Sequence, residues 1–510
     1  MAPGRPPRPR PRRAAGTAQL RLAAVSSIPN GSPPTRAQQR AVAELLRVAP
    51  VADDLSRRFA AAGHDLALVG GSVRDALRGT LGDDLDFATD ARPDDILAIA
   101  GPWADSTWEV GMAFGTVGLH KGGYKLEVTT YRSEEYTRDS RKPDVRFGDS
   151  LVADLARRDF TVNAIAVPMP LRPAEPLLDP YGGLDDLAAG RLRTPGRPED
   201  SFDDDPLRML RAARFAAQLG FTVDPGVVAA MTDMRDRLAI VSVERIRDEL
   251  TKLVCTAEPR KGLELLVDTG LAEQVLPEVP GMRLEIDEHH RHKDVYEHSL
   301  TVLDQAIDLE GSGGPDLVLR LAALLHDIGK PQTRRHEPDG RVSFHHHEVV
   351  GARMTRTRLT RLRFPKDLVN DVCTLVELHL RFHGYAEGEW TDSAVRRYVR
   401  DAGDLLDRLH KLTRADCTTR NKRKAQRLAK AYDDLEERIA RLAEEEEISS
   451  IRPDLDGTEV MAELGVRPGP VVGRALSHLL ELRLEHGPLG PDRARDELRR
   501  WAAEQDDLPS

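Results

Sequence analysis

The chain has 510 residues, which at about 100 to 200 residues per domain corresponds to roughly three to five domains, and 40% of them are apolar, enough for a core in each. Charged residues make up 31%, no run approaches the ~18 apolar residues of a membrane span, and the three widely spaced cysteines, Cys255, Cys373 and Cys417, can build neither a disulfide framework nor a CxxC metal site, so a membrane protein is excluded and a cytoplasmic location is expected. Lys and Arg number 74 against 84 Asp and Glu, a balance of −10, so any nucleic-acid partner has to be held by local basic patches against a repulsive overall field.

Residues 1–37 open MAPGRPPRPRPRRAAG, with five Arg and five Pro in the first thirteen positions, and are expected to form a disordered arm, either a polyanion contact or a solvated tail. No apolar segment follows the basic start, so it does not read as a secretory signal. From Gln38 the spacing of AVAELLRVAPVADDLSRRFAAAG is helical; ALVGGSVRDALRG then reads as an apolar strand, a Gly-Gly turn and a helix start. Strands are expected at LDFAT, FGTVGLH and YKLEVTTYR, making residues 38–195 a mixed α/β domain that closes after the turn-rich DPYGGLDDLAAG. Residues 196–284 become helical (DDPLRMLRAARFAAQLGF, SVERIRDELTKLV). Residues 285–440 hold twelve of the sixteen histidines, eleven of them between His289 and His383, in part beside the apolar stripes of LVLRLAALLHDIGK and LVNDVCTLVELHL. Residues 441–510 begin with the acidic run Glu444 to Glu447 and end in a helical piece with a tight turn at Pro468-Gly469-Pro470.

Three features of the α/β domain carry chemistry. At Gly70-Gly71-Ser72-Val73-Arg74 the glycines allow backbone N–H groups close approach to an anion such as a triphosphate at a helix N-terminus, with Arg74 adding a fork of donors; a plain tight turn has the same look. Asp84-Leu85-Asp86 follows, and period-2 geometry puts both carboxylates on one side of a strand while Leu85 and Phe87 face the core. Two adjacent carboxylates repel without a cation between them, and hard oxygen ligands at this spacing suit Mg²⁺. Glu127 on YKLEVTTYR is a candidate third carboxylate. In DLARRDFTVN, the pair Arg157 and Arg158 fits either a nucleotide contact or a salt-bridged helix end.

GGSVRD, DLD, RRDFTVNA, DPYGGLDDL, DDPLRMLRAARF and SVERIRDEL, in this order over about residues 65 to 280, resemble the motif series of the class II tRNA nucleotidyltransferase and bacterial poly(A) polymerase superfamily. The resemblance implies a polymerase β-like head, an α/β fold, followed by an all-α neck and further helical domains. It also implies that Asp84 and Asp86 hold the catalytic Mg²⁺, that Gly70, Gly71 and Arg74 meet the triphosphate, and that Arg157 and Arg158 meet the nucleotide.

The neck suggests how a base could be chosen without a nucleic-acid template. A helix through DDPLRMLRAARF would place Asp205, Arg208, Arg211 and Arg214 in one i, i+3 row. Cytosine and adenine both show an amino donor beside a bare ring nitrogen, whereas uracil and guanine show a carbonyl beside a ring N–H. Asp205 accepting and Arg208 donating would fit C or A and mismatch U or G, with Arg211 and Arg214 left for phosphates or packing. The superfamily motif usually has Glu where Asp204 stands, which puts the role of that position, and the switch from C to A, in doubt.

The second constellation is His298, His326-Asp327, His347, His379 and Asp416. The positions at 298, 326, 379 and 416 lie within apolar helical patterns, where an unsatisfied polar group costs roughly 2–7 kcal/mol and metal ligation would satisfy it. The order H…HD…H…H…D over about residues 290 to 420 resembles the HD phosphohydrolase family, which implies one or two divalent ions of unspecified identity. His345 and His346 are register alternatives to His347, and Lys330 suits a phosphate contact or a helix cap. The basic run Arg420 to Lys424 with Arg427 suits RNA phosphate or a solvated helix face. The reading that follows is a CCA-adding enzyme transferring CMP and AMP from CTP and ATP to the 3′ end of tRNA, with an attached phosphohydrolase. The alternatives are a poly(A) polymerase, an enzyme adding only CC or only A, or an HD phosphohydrolase with a degenerate nucleotide-sensing head.

Overall fold

The computed structural model describes residues 50–505 apart from 81, 110–111, 113–114, 136–143, 149, 171–176, 284–293, 340–341, 387–389, 419–420 and 447–451. The expected arm at 1–37, the histidines 289, 290 and 292, and Arg420 lie outside the described residues. The chain divides into two compact units, Met1–Leu253 with Lys261–Gln274, and Val254–Arg260 with Val275–Ser510.

The first unit is built on a six-stranded sheet of β1 (Leu66–Val69), β2 (Asp84–Thr89), β3 (Ser106–Trp108), β4 (Thr116–Lys121), β5 (Tyr124–Thr130) and β8 (Ala166–Met169), ordered β3-β4-β5-β2-β1-β8. A separate hairpin, β6 (Arg132–Glu135) with β7 (Asp144–Phe147), comes between β5 and β8 in the chain. Strand β2 runs parallel to β5 and antiparallel to β1, so the sheet is mixed. Strict alternation explains its two faces: Leu85, Phe87, Val117, Leu119, Leu126 and Val128 are buried, while Asp84, Asp86, Lys125, Glu127 and His120 point the other way. The helices Pro50–Ala61 and Pro93–Ala100 pack on the sheet and on each other through Leu55, Phe59 and Ile96. Between them in the chain, the helix Gly70–Arg78 starts directly where β1 ends and stops at Gly79, whose left-handed φ of +74° returns its N–H to the last turn.

The neck departs from the sequence expectation at one proline. The residue before a proline is disfavoured in the helical region, and Asp205 is extended (φ −145°, ψ 99°), ending one helix, Pro198–Asp204, while Pro206 precedes the next, Leu207–Leu219. The uninterrupted helical row from Asp205 to Arg214 is therefore corrected to two helices with Asp205 at the joint.

In the second unit the helices Val295–Asp308, Leu317–Leu325, His347–Arg361, Lys366–Leu378 and Leu406–Asp416 pack around a core that includes Leu300, Leu303, Leu319, Leu324, Leu375, Val376, Leu409 and Leu412. Farther along, the helices Gly457–Leu464, Pro470–His486 and Pro491–Ala503 share a small core of Val460, Ala475, Leu479, Ala494 and Leu498. Asp456 and Glu459 form a capping box there, and Gly465, in the left-handed region, ends the first of the three helices. Among the described residues no helix is long and apolar enough to cross a membrane.

Candidate active sites

The first site lies on the polar face of the sheet. Asp86 pairs in register with Glu127 across β2 and β5, and Asp84 with Lys125, so three carboxylates and one ammonium share two adjacent rows. Lys125 Nζ is 2.9 Å from Glu127 and 3.9 Å from Asp84, an internal counter-charge that the sequence reading missed, although its i, i+2 relation to Glu127 was visible. Burial raises the Asp86 pKa, the Arg158 guanidinium opposes it, and the neighbouring Glu127 and Asp84 carboxylates push it further up. An accumulation of hard anionic oxygens on an open sheet face fits a divalent cation such as Mg²⁺.

Gly70 is the conformational key to this site. Its φ is +70°, and a Cβ there would stand 2.8 Å from Arg158 Nη1 and 3.4 Å from Asp86 Oδ2. Only glycine combines that backbone with that closeness. Gly71 is less constrained, since a Cβ would make ordinary contacts of 3.5 Å with Arg74 and 3.9 Å with Asp86. Ser72 ties the helix to β2 by accepting from Asp86 N–H at 2.8 Å and donating to Asp84 C=O at 3.2 Å. The Arg74 guanidinium is buried: its Nη1 donates to Asn163 Oδ1 at 2.6 Å, and its Nε and Nη2 donate to Asp75. Arg157 and Arg158 both bond the buried carboxylate of Asp154, at 2.6 and 3.0 Å, so the salt-bridged helix end is present while Arg158 also faces Asp86 and Gly70.

The neck arginines point inward as well. Arg208 is 8% exposed and donates to Ser201 C=O and Oγ and, at 2.5 Å, to the carbonyl of Arg157. Three of its five N–H donors thus meet buried acceptors, which clamp it at the helix joint beside Asp205. Arg211 bonds Asp159 at 2.8 Å through Nε. Burial opposes ionisation of Asp159, but the Arg211 guanidinium, with the Asn163 hydrogen bond and the Arg208 charge, outweighs it and holds the carboxyl well below the usual carboxylate range. Arg214 pairs with the buried Glu249 and with Gln218 and lies over the ring of Phe215. Asp205 accepts from Leu207 N–H at 3.2 Å, and its other oxygen is 2.7 Å from Arg245, a residue with a half-exposed side chain that the sequence reading passed over inside SVERIRDEL. Asp204 lies 4.0 Å from Arg208.

The second site gathers all six residues expected of it. His298 Nε2 is 3.3 Å from His326 Nε2 and 2.9 Å from Asp416, Asp327 is 3.2 Å from both His326 and His347, and His379 is 3.9 Å from Asp327. Three imidazoles are aimed by the same device: Nδ1 of His326, His347 and His379 meets the carbonyl three residues back, of Ala323, Phe344 and Val376, at 2.9, 2.8 and 2.6 Å. A carbonyl can only accept, so Nδ1 carries the proton and each Nε2 lone pair faces the centre. Asp327 Oδ1, His347 Nε2 and His379 Nε2 are buried without a hydrogen-bond partner. Burial, reinforced by His326, pushes the His379 imidazole down to about 3, so it is a neutral donor. Buried, partnerless nitrogen and carboxylate donors converging in this way fit a divalent metal. His345 and His346 are exposed, which leaves His347 as the ligand-side histidine, and Lys330 donates to Asp327 at 2.5 Å.

Residues 66–193 match the poly A polymerase head domain, residues 220–282 the probable RNA and SrmB-binding site of polymerase A, and residues 295–447 the HD domain. The A-adding tRNA nucleotidyltransferase of Deinococcus radiodurans is 38% identical over 447 residues, covering 86% of this chain and 96% of that one. The chain belongs to the tRNA nucleotidyltransferase and poly(A) polymerase family. This nucleotidyltransferase also resembles the CCA-adding enzyme of Bacillus subtilis, 41% identical over 216 residues, 42% of this chain and 52% of that one. Among solved structures, the CCA-adding enzyme of Bacillus stearothermophilus in complex with CTP aligns with a TM-score of 0.63 at 26% identity, covering 88% of this chain and 96% of that one.

Proposed function

We propose that this nucleotidyltransferase completes the CCA end of tRNA, transferring CMP and AMP from CTP and ATP to the terminal ribose hydroxyl with release of pyrophosphate. The observation that carries the reading is the row of Asp84, Asp86 and Glu127 set beside the glycine-started helix at Gly70 and the guanidinium of Arg158. Asp84 and Asp86 would hold a divalent cation, which when bound would supply charge neutralisation and acidify the attacking hydroxyl. The remaining work falls to the chain itself. Backbone N–H groups at Gly70 and Gly71 receive the triphosphate at a helix N-terminus, and Arg158 carries donors toward the same place.

Base choice requires an acceptor beside a donor, and the structure sets Asp205 next to Arg245, 2.7 Å apart. In this reading Asp205 takes the amino hydrogen of C or A and Arg245 donates to the ring nitrogen, while Arg208 holds the joint on which Asp205 sits. A second reading, addition of the terminal A alone, is favoured by the match along nearly the whole of the Deinococcus enzyme. The His298, His326, Asp327, His347, His379 and Asp416 centre is proposed as a metal-dependent phosphohydrolase, on the strength of its converging orphan donors.

One experiment separates these readings. The purified chain is incubated with Mg²⁺, each labelled nucleoside triphosphate in turn, and tRNA transcripts ending before CCA or in CC. CMP then AMP on the first transcript supports full CCA addition, AMP on the second alone supports A-addition, unlimited AMP indicates a poly(A) polymerase, and no incorporation refutes the proposal.

A further inference from the structure

One residue on the polar face of the head sheet does not belong there by polarity. The cross-strand row that contains Asp86 continues through Glu127 on β5 and Gly118 on β4 to Trp108 on β3. Gly118 is buried although its strand neighbours on the same face, Thr116 and His120, are not. The cover is the Trp108 indole itself: a Cβ on Gly118 would fall 1.8 Å from Trp108 Cε2. Glycine within a strand weakens it and marks a close approach; here it lets a large ring lie flat across the sheet toward the carboxylates. His120 flanks the ring with centroids 4.7 Å apart, and Lys125, already bonded to Glu127, stands 5.6 Å from its centroid. Trp108 remains partly exposed.

The sheet order gives this ring a side. Gly70 and the helix start lie at β1, on one flank of Asp86, and Trp108 lies on the other flank, beyond β5 and β4. Phosphoryl transfer places the attacking and leaving oxygens roughly in line, so pyrophosphate leaving over the β1 side requires the attacking ribose to arrive from the β5–β4–β3 side. With strands about 4.8 Å apart, the region above Gly118 is about 10 Å from Asp86, the reach of one nucleoside.

We propose that Trp108, laid over Gly118, is a stacking subsite for the terminal nucleobase of the acceptor RNA and so positions its 3′-hydroxyl. The proposal rests on the nucleotidyl-transfer reading above. Every base has a π-face, so a platform of this kind accepts each successive 3′-terminal residue without sequence readout.

The test is steady-state kinetics of the full chain, with the RNA transcript and the nucleoside triphosphate varied separately, for the wild type, Trp108→Phe and Trp108→Leu. Leucine retains apolar cover over Gly118 but has no π-face. The expected result is a rise in KM for the RNA of roughly 5- to 150-fold with Trp108→Leu, the range that loss of one stacked base implies, KM for the triphosphate unchanged, and near-complete retention by Trp108→Phe. Unchanged RNA KM in Trp108→Leu, or an equal rise in both KM values, overturns the subsite. Absence of transfer by the wild type would instead overturn the nucleotidyl-transfer reading itself.

Discussion

The sharpest division of labour in the neck is between Asp205 and Arg208, which are three residues apart and differently placed. Asp205 lies at the helix joint, and its ion pair with Arg245 has side-chain exposures of 21% and 52%. Solvent screening limits such a pair to about 0–1 kcal/mol, so Asp205→Ala and Arg245→Ala should each cost little stability. Each should instead lose one contact to the base edge, about 1–3 kcal/mol of discrimination, which is roughly a 5- to 150-fold fall in the preference of kcat/KM for CTP or ATP over UTP or GTP. Arg208 is the opposite case. Its guanidinium satisfies two carbonyls and a hydroxyl at a site 8% exposed; charge-assisted bonds of about 1.5–3 kcal/mol, and the penalty for orphaned acceptors, make about 3–5 kcal/mol a reasonable loss for Arg208→Ala. Urea denaturation and four-nucleotide kinetics on the same three variants measure both quantities. A folded Arg208→Ala with unchanged stability and relaxed nucleotide preference would return Arg208 to the base edge and refute the clamp.

Four further outcomes are expected. Asp86→Ala should abolish nucleotide incorporation while leaving any metal-dependent phosphatase activity on p-nitrophenyl phosphate intact, and residual transfer above about 1% would argue against its role as a metal ligand. Gly70→Ala should cost about 1–2 kcal/mol from the left-handed backbone alone and should displace Arg158, so kcat should fall with it; wild-type kinetics would show that the close approach is not used. His326→Ala should release metal detectable by elemental analysis, and chelation of the wild type should lower its Tm, since a ligand at 100 times its Kd contributes about 2.7 kcal/mol. Arg211→Ala concerns pH. The folded pKa of Asp159 is depressed, so its pairing contributes stability above its unfolded value near 4 and loses it as pH falls through the folded one. Removing Arg211 leaves a buried carboxylate without its cation, and the acid-unfolding midpoint followed by circular dichroism should move to higher pH.

The parts of this molecule that were legible in sequence are those governed by short-range periodicity. The alternation of Asp84, Leu85, Asp86 and Phe87 revealed both faces of β2, and the second centre announced itself because its members at 298, 326, 379 and 416 interrupt apolar helical patterns. Arginine direction was not legible. Asp and Arg at i, i+3 look like an exposed row, whereas the acceptors that draw Arg208 and Arg214 inward, the Arg157 carbonyl and Glu249, are 51 and 35 residues away. The break at Asp205 was a local matter that Pro206 already signalled, and the charged row outweighed it. Arg245 went unnoticed because its partner Asp205 lies 40 residues away, and Lys125 because its approach to Asp84 crosses from β5 to β2, although its bond to Glu127 is local.

His326 and His379 each stand at the end of a helix, the positions immediately after Leu317–Leu325 and Lys366–Leu378. The carbonyls they bind through Nδ1 are among those that every helix terminus leaves over. Punctuation and aim are thus entrusted to one side chain: the imidazole finishes its own helix with one nitrogen and, by doing so, is left with the other facing the histidine and aspartate centre. Such a ligand arrives at the centre already oriented, helix by helix, before any ion is present. Replacing it by another metal-binding residue, such as aspartate, would restore a ligand but not the stop, because a carboxylate has no proton to give a carbonyl.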